Sequence, residues 1–128
     1  MKAINYSPLI SPFDAYVQLA VRLRASDSCE ACGVPLDGSG AFLPVVRYTR
    51  EPLPEAVMTS AANVVLLCRP CKKLTDAKDP WMEALGFSHS RGNDPRLEPM
   101  VIPGKRGIMT VWRGTDGLYH SEPPDVID

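Results

Sequence analysis

All four cysteines of the chain fall into two Cys-x2-Cys pairs, Cys29/Cys32 and Cys68/Cys71, and nothing else in the sequence restricts the fold as strongly. A two-residue spacer lets the chain curl so that both sulfurs of a pair face one ion. Two such pairs brought together make a closed tetrahedral site of four thiolates, the usual arrangement for structural zinc. Disulfides, a redox-active dithiol and a rubredoxin-type iron site are the alternatives for this spacing. The iron site usually carries Gly after both pairs, whereas here Gly33 follows the first and Lys72 the second. The expectation is a structural Zn²⁺ held by Cys29, Cys32, Cys68 and Cys71.

At 128 residues the chain has a limited core, so a metal worth roughly 10 kcal/mol to folding would matter. No apolar run approaches the ~18 residues of a membrane span, which predicts no membrane partner. The opening Met1-Lys2-Ala3-Ile4-Asn5-Tyr6-Ser7-Pro8 has no basic-then-apolar leader pattern. The expected location is therefore cytoplasmic, a reducing setting in which paired cysteines are more often metal ligands than disulfides. The net charge of −1 conceals a polarity along the sequence. Residues 66 to 113 carry Arg69, Lys72, Lys73, Lys78, Arg91, Arg96, Lys105, Arg106 and Arg113 against fewer acids, while from Asp116 onward there are acids and no Lys or Arg. A basic middle is either a phosphate footprint or a solvated surface of mixed charge.

Four segments are expected: an N-terminal extension and helix (1–27), the zinc domain (28–86), a C-terminal β extension (87–121) and an acidic tail (122–128). Ser11 as cap, Pro12 in the first turn and Asp14 at the positive end predict a helix start. Phe13, Tyr16, Val17, Ala20 and Leu23 form its predicted apolar stripe, with Gln18, Arg22 and Arg24 on the other side. A strand is expected over 41–48, with Pro44 marking an edge or bulge. A loop with one helical turn should fill 49–62, followed by a short buried strand at 64–67. A helix over 70–78 leads into a second, started by Asp79 and Pro80 and ended by Gly86. Short strands at 100–102, 108–112 and 118–119, separated by Gly-rich turns, predict a small β-meander. The fold class is α+β.

The segment from Cys29 to Lys78 resembles the HNH endonuclease family in its four-cysteine form, a ββα treble-clef zinc finger. Cys29-Glu30-Ala31-Cys32-Gly33 matches the first pair. Asn63-Val64-Val65-Leu66-Leu67-Cys68-Arg69-Pro70-Cys71 matches the run from the family's Asn into the second pair, and Lys72, Lys73 and Lys78 fall where the family is often basic. The resemblance implies that Asn63 orients the ββα loop through backbone hydrogen bonds. It also exposes what is missing. The strand that carries the family's catalytic His reads Pro44-Val45-Val46-Arg47-Tyr48. The position after Cys71, where His or Asn holds the catalytic ion, is Lys72, whose ammonium repels a cation. Arg47 stays protonated and cannot act as a base. No catalytic residue is assigned, and the domain reads as catalytically degenerate.

Three functions follow. The first is a zinc-stapled module that binds DNA or RNA through Arg47, Arg50, Arg69, Lys72, Lys73 and Lys78. The second is a protein-interaction or inhibitory module, of phage or plasmid type by resemblance, using the apolar N-terminal helix with Trp81, Met109 and Trp112. The third is an active metal-dependent nuclease with relocated ligands, recruiting His89 or His120 together with Asp76 or Asp94.

Overall fold

The computed structural model describes residues 13–46, 53–88, 93–104 and 107–125. It is an α+β arrangement of short helices and two small antiparallel sheets. In chain order these are α1 (Ala15–Arg24), β1 (Ala41–Pro44), α2 (Glu55–Met58), a 3-10 turn (Ala61–Asn63), β2 (Val64–Leu67), α3 (Arg69–Asp76) and α4 (Pro80–Ala84). A second 3-10 turn (Pro95–Leu97) precedes β3 (Pro99–Gly104), β4 (Gly107–Arg113) and β5 (Tyr119–His120). Among the described residues no helix is long and apolar enough to cross a membrane.

Helix α1 begins at Ala15, with Asp14 as its N-cap accepting from the Val17 amide at 2.9 Å. The expected cap, Ser11, and Pro12 lie outside the described residues. The apolar stripe is rotated from the one expected. Val21 is fully buried and Val17 partly so, while Tyr16 and Leu23 face solvent, at 85% and 70% exposed. Arg24, expected on the outer side, points inward. The physical reason is a buried carboxylate waiting for it, described below.

β1 and β2 pair from Ala41↔Leu67 to Pro44↔Val64. The expected strand over 41–48 stops at Pro44, since the chain bends at Val45; residues 47–52 are outside the described set. Pro44 ends a strand in a two-stranded sheet, where its missing N–H disturbs no second neighbour. All four residues of β2 are completely buried, which fits their unbroken apolar sequence. The expected helical turn between the strands is α2.

α3 covers Arg69–Asp76, and Lys78 takes φ +57, which breaks the helix. α4 restarts as the sequence predicts: Asp79 accepts from the Trp81 amide at 2.8 Å and Pro80 occupies the first turn. Gly86 then turns the chain with φ +90. A Cβ there would lie 2.2 Å from the Pro99 carbonyl oxygen, so only glycine lets α4 sit this close to β3. The Val101 amide donates to the Leu85 carbonyl at 2.9 Å across the same junction.

The C-terminal strands form the expected meander in the order β3-β4-β5. Its inner face contributes Met100, Ile102 and Val111 to one buried cluster that also includes Phe13, Val21, Leu66, Met82 and Phe87. This core thus crosses the segment boundaries expected at 27/28 and 86/87.

Candidate metal centre

The first cysteine pair sits on a tight turn after α1. Gly33 donates to the Cys29 carbonyl at 2.8 Å, and the Cys29 amide donates to Val34 at 2.9 Å. Gly33 has φ +81, a left-handed conformation that glycine adopts without steric cost. A bridge between Ser28 and Pro35 closes the base of the turn. Glu30, inside the pair, ties this turn to β2: its amide donates to the Leu66 carbonyl at 2.9 Å, and its Oε1 accepts from the Leu66 amide at 2.8 Å. β2 runs straight into Cys68, the N-cap residue of α3, and Cys71 follows in the first helical turn. The first pair is therefore laced to the strand that delivers the second.

The result is a cluster in which the ligand atoms of Cys29, Cys32, Cys68 and Cys71 all lie within 4.8 Å of one another. The Cys32 and Cys68 sulfurs are 3.7 Å apart. A tetrahedral ion bound at about 2.3 Å holds its sulfurs about 3.8 Å from one another. The cluster could therefore hold a metal ion. The cysteines are free, and a sulfur pair at 3.7 Å is far from the ~2.05 Å of a disulfide. Three of the four are buried and Cys32 is exposed.

Electrostatics point the same way. Burial raises the Cys29 pKa, but the backbone N–H groups of Cys68, Cys32 and Ala31 outweigh it and leave the thiol below its ordinary value. Burial, with neighbouring sulfurs adding to it, pushes the Cys32 and Cys71 thiols up. Four thiols this close cannot all ionise unless a cation sits among them. Among the described residues no other group of three or more His, Cys, Asp or Glu could hold a metal ion.

Behind the cysteines lies a buried polar node that sequence reasoning missed. Glu30 receives a two-pronged bond from Arg24, Nε to Oε2 and NH2 to Oε1, both at 3.1 Å. The two side chains are 1% and 0% exposed. Arg24 also donates to the Ala61 carbonyl at 2.7 Å and the Val64 carbonyl at 2.6 Å. The Tyr119 hydroxyl completes the node by donating to Glu30 Oε2, and the Arg24 guanidinium stacks 5.3 Å from the Tyr119 ring. Burial, then the Glu30 charge, pushes the Tyr119 phenol up, so it stays a donor. α1, the first cysteine turn, β2 and β5 thus meet at one carboxylate.

Arg113 is a second buried cation. It donates to the Ala62 carbonyl at 2.9 Å and lies 3.4 Å from the Gly86 carbonyl, with NH2 lacking a hydrogen-bond partner. Burial, then nearby Arg24, lowers its pKa to about 10. Strand alternation could have found it, because Val111 and Arg113 share one face of β4.

Asn63 is buried, and its side chain accepts from the Val46 amide at 2.8 Å. It donates to the Val46 carbonyl at 2.8 Å and the Met58 carbonyl at 2.9 Å. Arg69, Lys73 and Lys78 are exposed on α3 and just beyond it, while half-buried Lys72 pairs with Asp76 at 2.7 Å. Arg47, Arg50 and His89 lie outside the described residues. His120 pairs with Asp116 at 3.0 Å and Asp94 with Arg96 at 2.7 Å, so His120 does not join Asp76 or Asp94 in a metal-binding group. No family model, curated protein or solved structure matches this chain.

Proposed function

We propose that this chain is a zinc-stapled treble-clef module, HNH-like in layout and without nuclease chemistry, that binds nucleic acid. The observation that carries the zinc reading is the four-sulfur cluster, built from a cysteine turn and a helix N-terminus that flank the β1–β2 hairpin. Turn, hairpin, second pair and helix come in treble-clef order. All-thiolate tetrahedral sites select zinc or iron–sulfur chemistry, and zinc is the structural choice that needs no redox function. When bound, zinc supplies fixed positive charge and cross-linking, and a site closed by four protein ligands leaves no open position for a substrate. A cluster of free thiols suits a reducing compartment, so we place the protein in the cytoplasm.

Support for nucleic acid comes from α3 and the turn just beyond it, where Arg69, Lys73 and Lys78 stand exposed with no ion pair among the described residues. Such cations serve phosphate without any catalytic group. The test is binding of labelled DNA and RNA at about 50 and 200 mM salt, with Mg²⁺ or Mn²⁺ added to look for cleavage. Salt-sensitive binding without cutting is the expected result, and absence of binding at the lower salt refutes the reading. Cleavage lost in a His89→Ala or His120→Ala variant would instead restore an active nuclease. A second reading, a protein-interaction module, draws on the exposed stripe Tyr16, Leu19 and Leu23 along α1. One stoichiometric protein partner, retained after nuclease treatment, would favour it.

A further inference from the structure

The corner where α3 meets α4 combines two features that a solvated surface has no need of. Trp81 is 73% exposed although its neighbour Met82 is buried in the core. Along α3 and just past its end, Arg69, Lys73 and Lys78 are exposed and carry no counter-ion among the described residues. The acids nearby are already engaged: Asp76 by Lys72, Asp79 by the Trp81 amide, and Glu83 by a partner of its own. The corner is also rigid. The Asp79 amide donates to the Leu74 carbonyl and the Lys78 amide to the Thr75 carbonyl, both at 3.0 Å, which fixes the start of α4 against the last turn of α3. The Met82 carbonyl then accepts from the buried Phe87 at 2.9 Å, anchoring the far end of α4. The backbone that carries Trp81 is thus fixed, so little main-chain freedom is lost when a flat partner lands on its indole.

We propose that this corner binds single-stranded nucleic acid, with Trp81 as a base-stacking platform and Arg69, Lys73 and Lys78 as phosphate contacts. The proposal rests on the nucleic-acid reading above and narrows it to one kind of strand. A duplex hides the faces of its bases, so an exposed indole gains nothing from it beyond groove-edge contact; an unpaired strand offers a base face for each nucleotide. Arg69 and Lys73 are one helical turn apart, about 6 Å along the axis, and present their charges on one side of α3. Leu74, in the last turn of α3, is a second large apolar side chain left open to solvent, 44% exposed. An acidic polypeptide would satisfy the cations, but it carries no aromatic ring at every step to stack on the indole.

The experiment uses the full zinc-loaded chain with labelled single-stranded oligonucleotides, the matching duplex and poly-glutamate as probes. The chain has two tryptophans, so a Trp112→Phe variant reports on Trp81 alone. Single strands should bind more tightly than duplex and quench Trp81 emission. Trp81→Ala should weaken single-strand binding about 5- to 150-fold with its salt slope unchanged. Lys73→Ala and Lys78→Ala should each flatten that slope by about 0.7. All three positions are exposed, so melting temperatures should match the parent and certify the fold. Duplex binding as tight as single-strand binding, with Trp81→Ala silent, would overturn this inference and leave the broader nucleic-acid reading standing. No salt-dependent binding to any oligonucleotide would overturn both, and binding of poly-glutamate alone would make the corner a protein site.

Discussion

Replacing Glu30 with Gln removes one charge from the core and leaves the volume of the side chain almost unchanged. In the parent, Glu30 accepts from Arg24 twice, from the Leu66 amide and from the Tyr119 hydroxyl. Gln has one acceptor oxygen, and its NH2 would face donors. Arg24, whose side chain is 1% exposed, would keep a full positive charge with no anion to meet it. Breaking a buried ion pair by removing one partner costs about 3–5 kcal/mol, against a total stability of about 5–15 kcal/mol. At about 2.1 cal/mol/K of unfolding entropy per residue, a chain of 128 residues loses ~4 °C of Tm per kcal/mol. Glu30→Gln should therefore melt roughly 10–20 °C below the parent. The assay is thermal and urea unfolding at saturating zinc, with metal content measured to separate this effect from metal loss. Combining it with Arg24→Met gives the coupling, and the double variant should cost at least ~2 kcal/mol less than the two singles added together. A Tm within ~3 °C of the parent, or additive singles, would refute the node as a stabilising unit.

Asn63→Ala should destabilise by about 2–4 kcal/mol in urea unfolding, because it strands the Val46 amide and the carbonyls of Val46 and Met58 in the interior. Gly86→Ala meets both a positive φ and the Pro99 carbonyl, so it should cost more than ~2 kcal/mol and speed amide exchange at Val101, which bonds Leu85 across the junction. Burial acts to raise the Asp94 pKa, but Arg96 outweighs it and leaves the group lowered from 3.8. The stabilisation from a depressed carboxyl is present above the unfolded value and lost as pH falls through the folded one. Asp94→Ala should thus be about 1 kcal/mol less stable near neutrality, where it loses a cap to the Arg96 amide, and the gap should close in melts run below pH 3.8.

What could be read in advance was local. The cysteine spacing, the Asp79-Pro80 start and Gly86 end of α4, and the Gly-punctuated meander depend on residues a few positions apart, and the structure has them. What could not be read depends on long-range partners. Arg24 looks like an outer-face helix residue until Glu30, Ala61 and Val64 are seen to surround its guanidinium. With Arg24 drawn inward, α1 turns so that Tyr16 and Leu23 face water. Tyr119 reaches Glu30 across 89 positions of sequence, and no periodicity encodes that. Glu30 itself sits between two cysteines in a spacer where a charged residue ordinarily implies solvent.

Native mass spectrometry of the freshly purified chain reads the identity and stoichiometry of any bound metal in one spectrum. One zinc per chain is the expected result, lost in Cys29→Ser, Cys32→Ser, Cys68→Ser or Cys71→Ser together with cooperative unfolding. A cooperatively folded chain carrying no metal, iron in place of zinc, or a mass short by the hydrogens of two disulfides would contradict it.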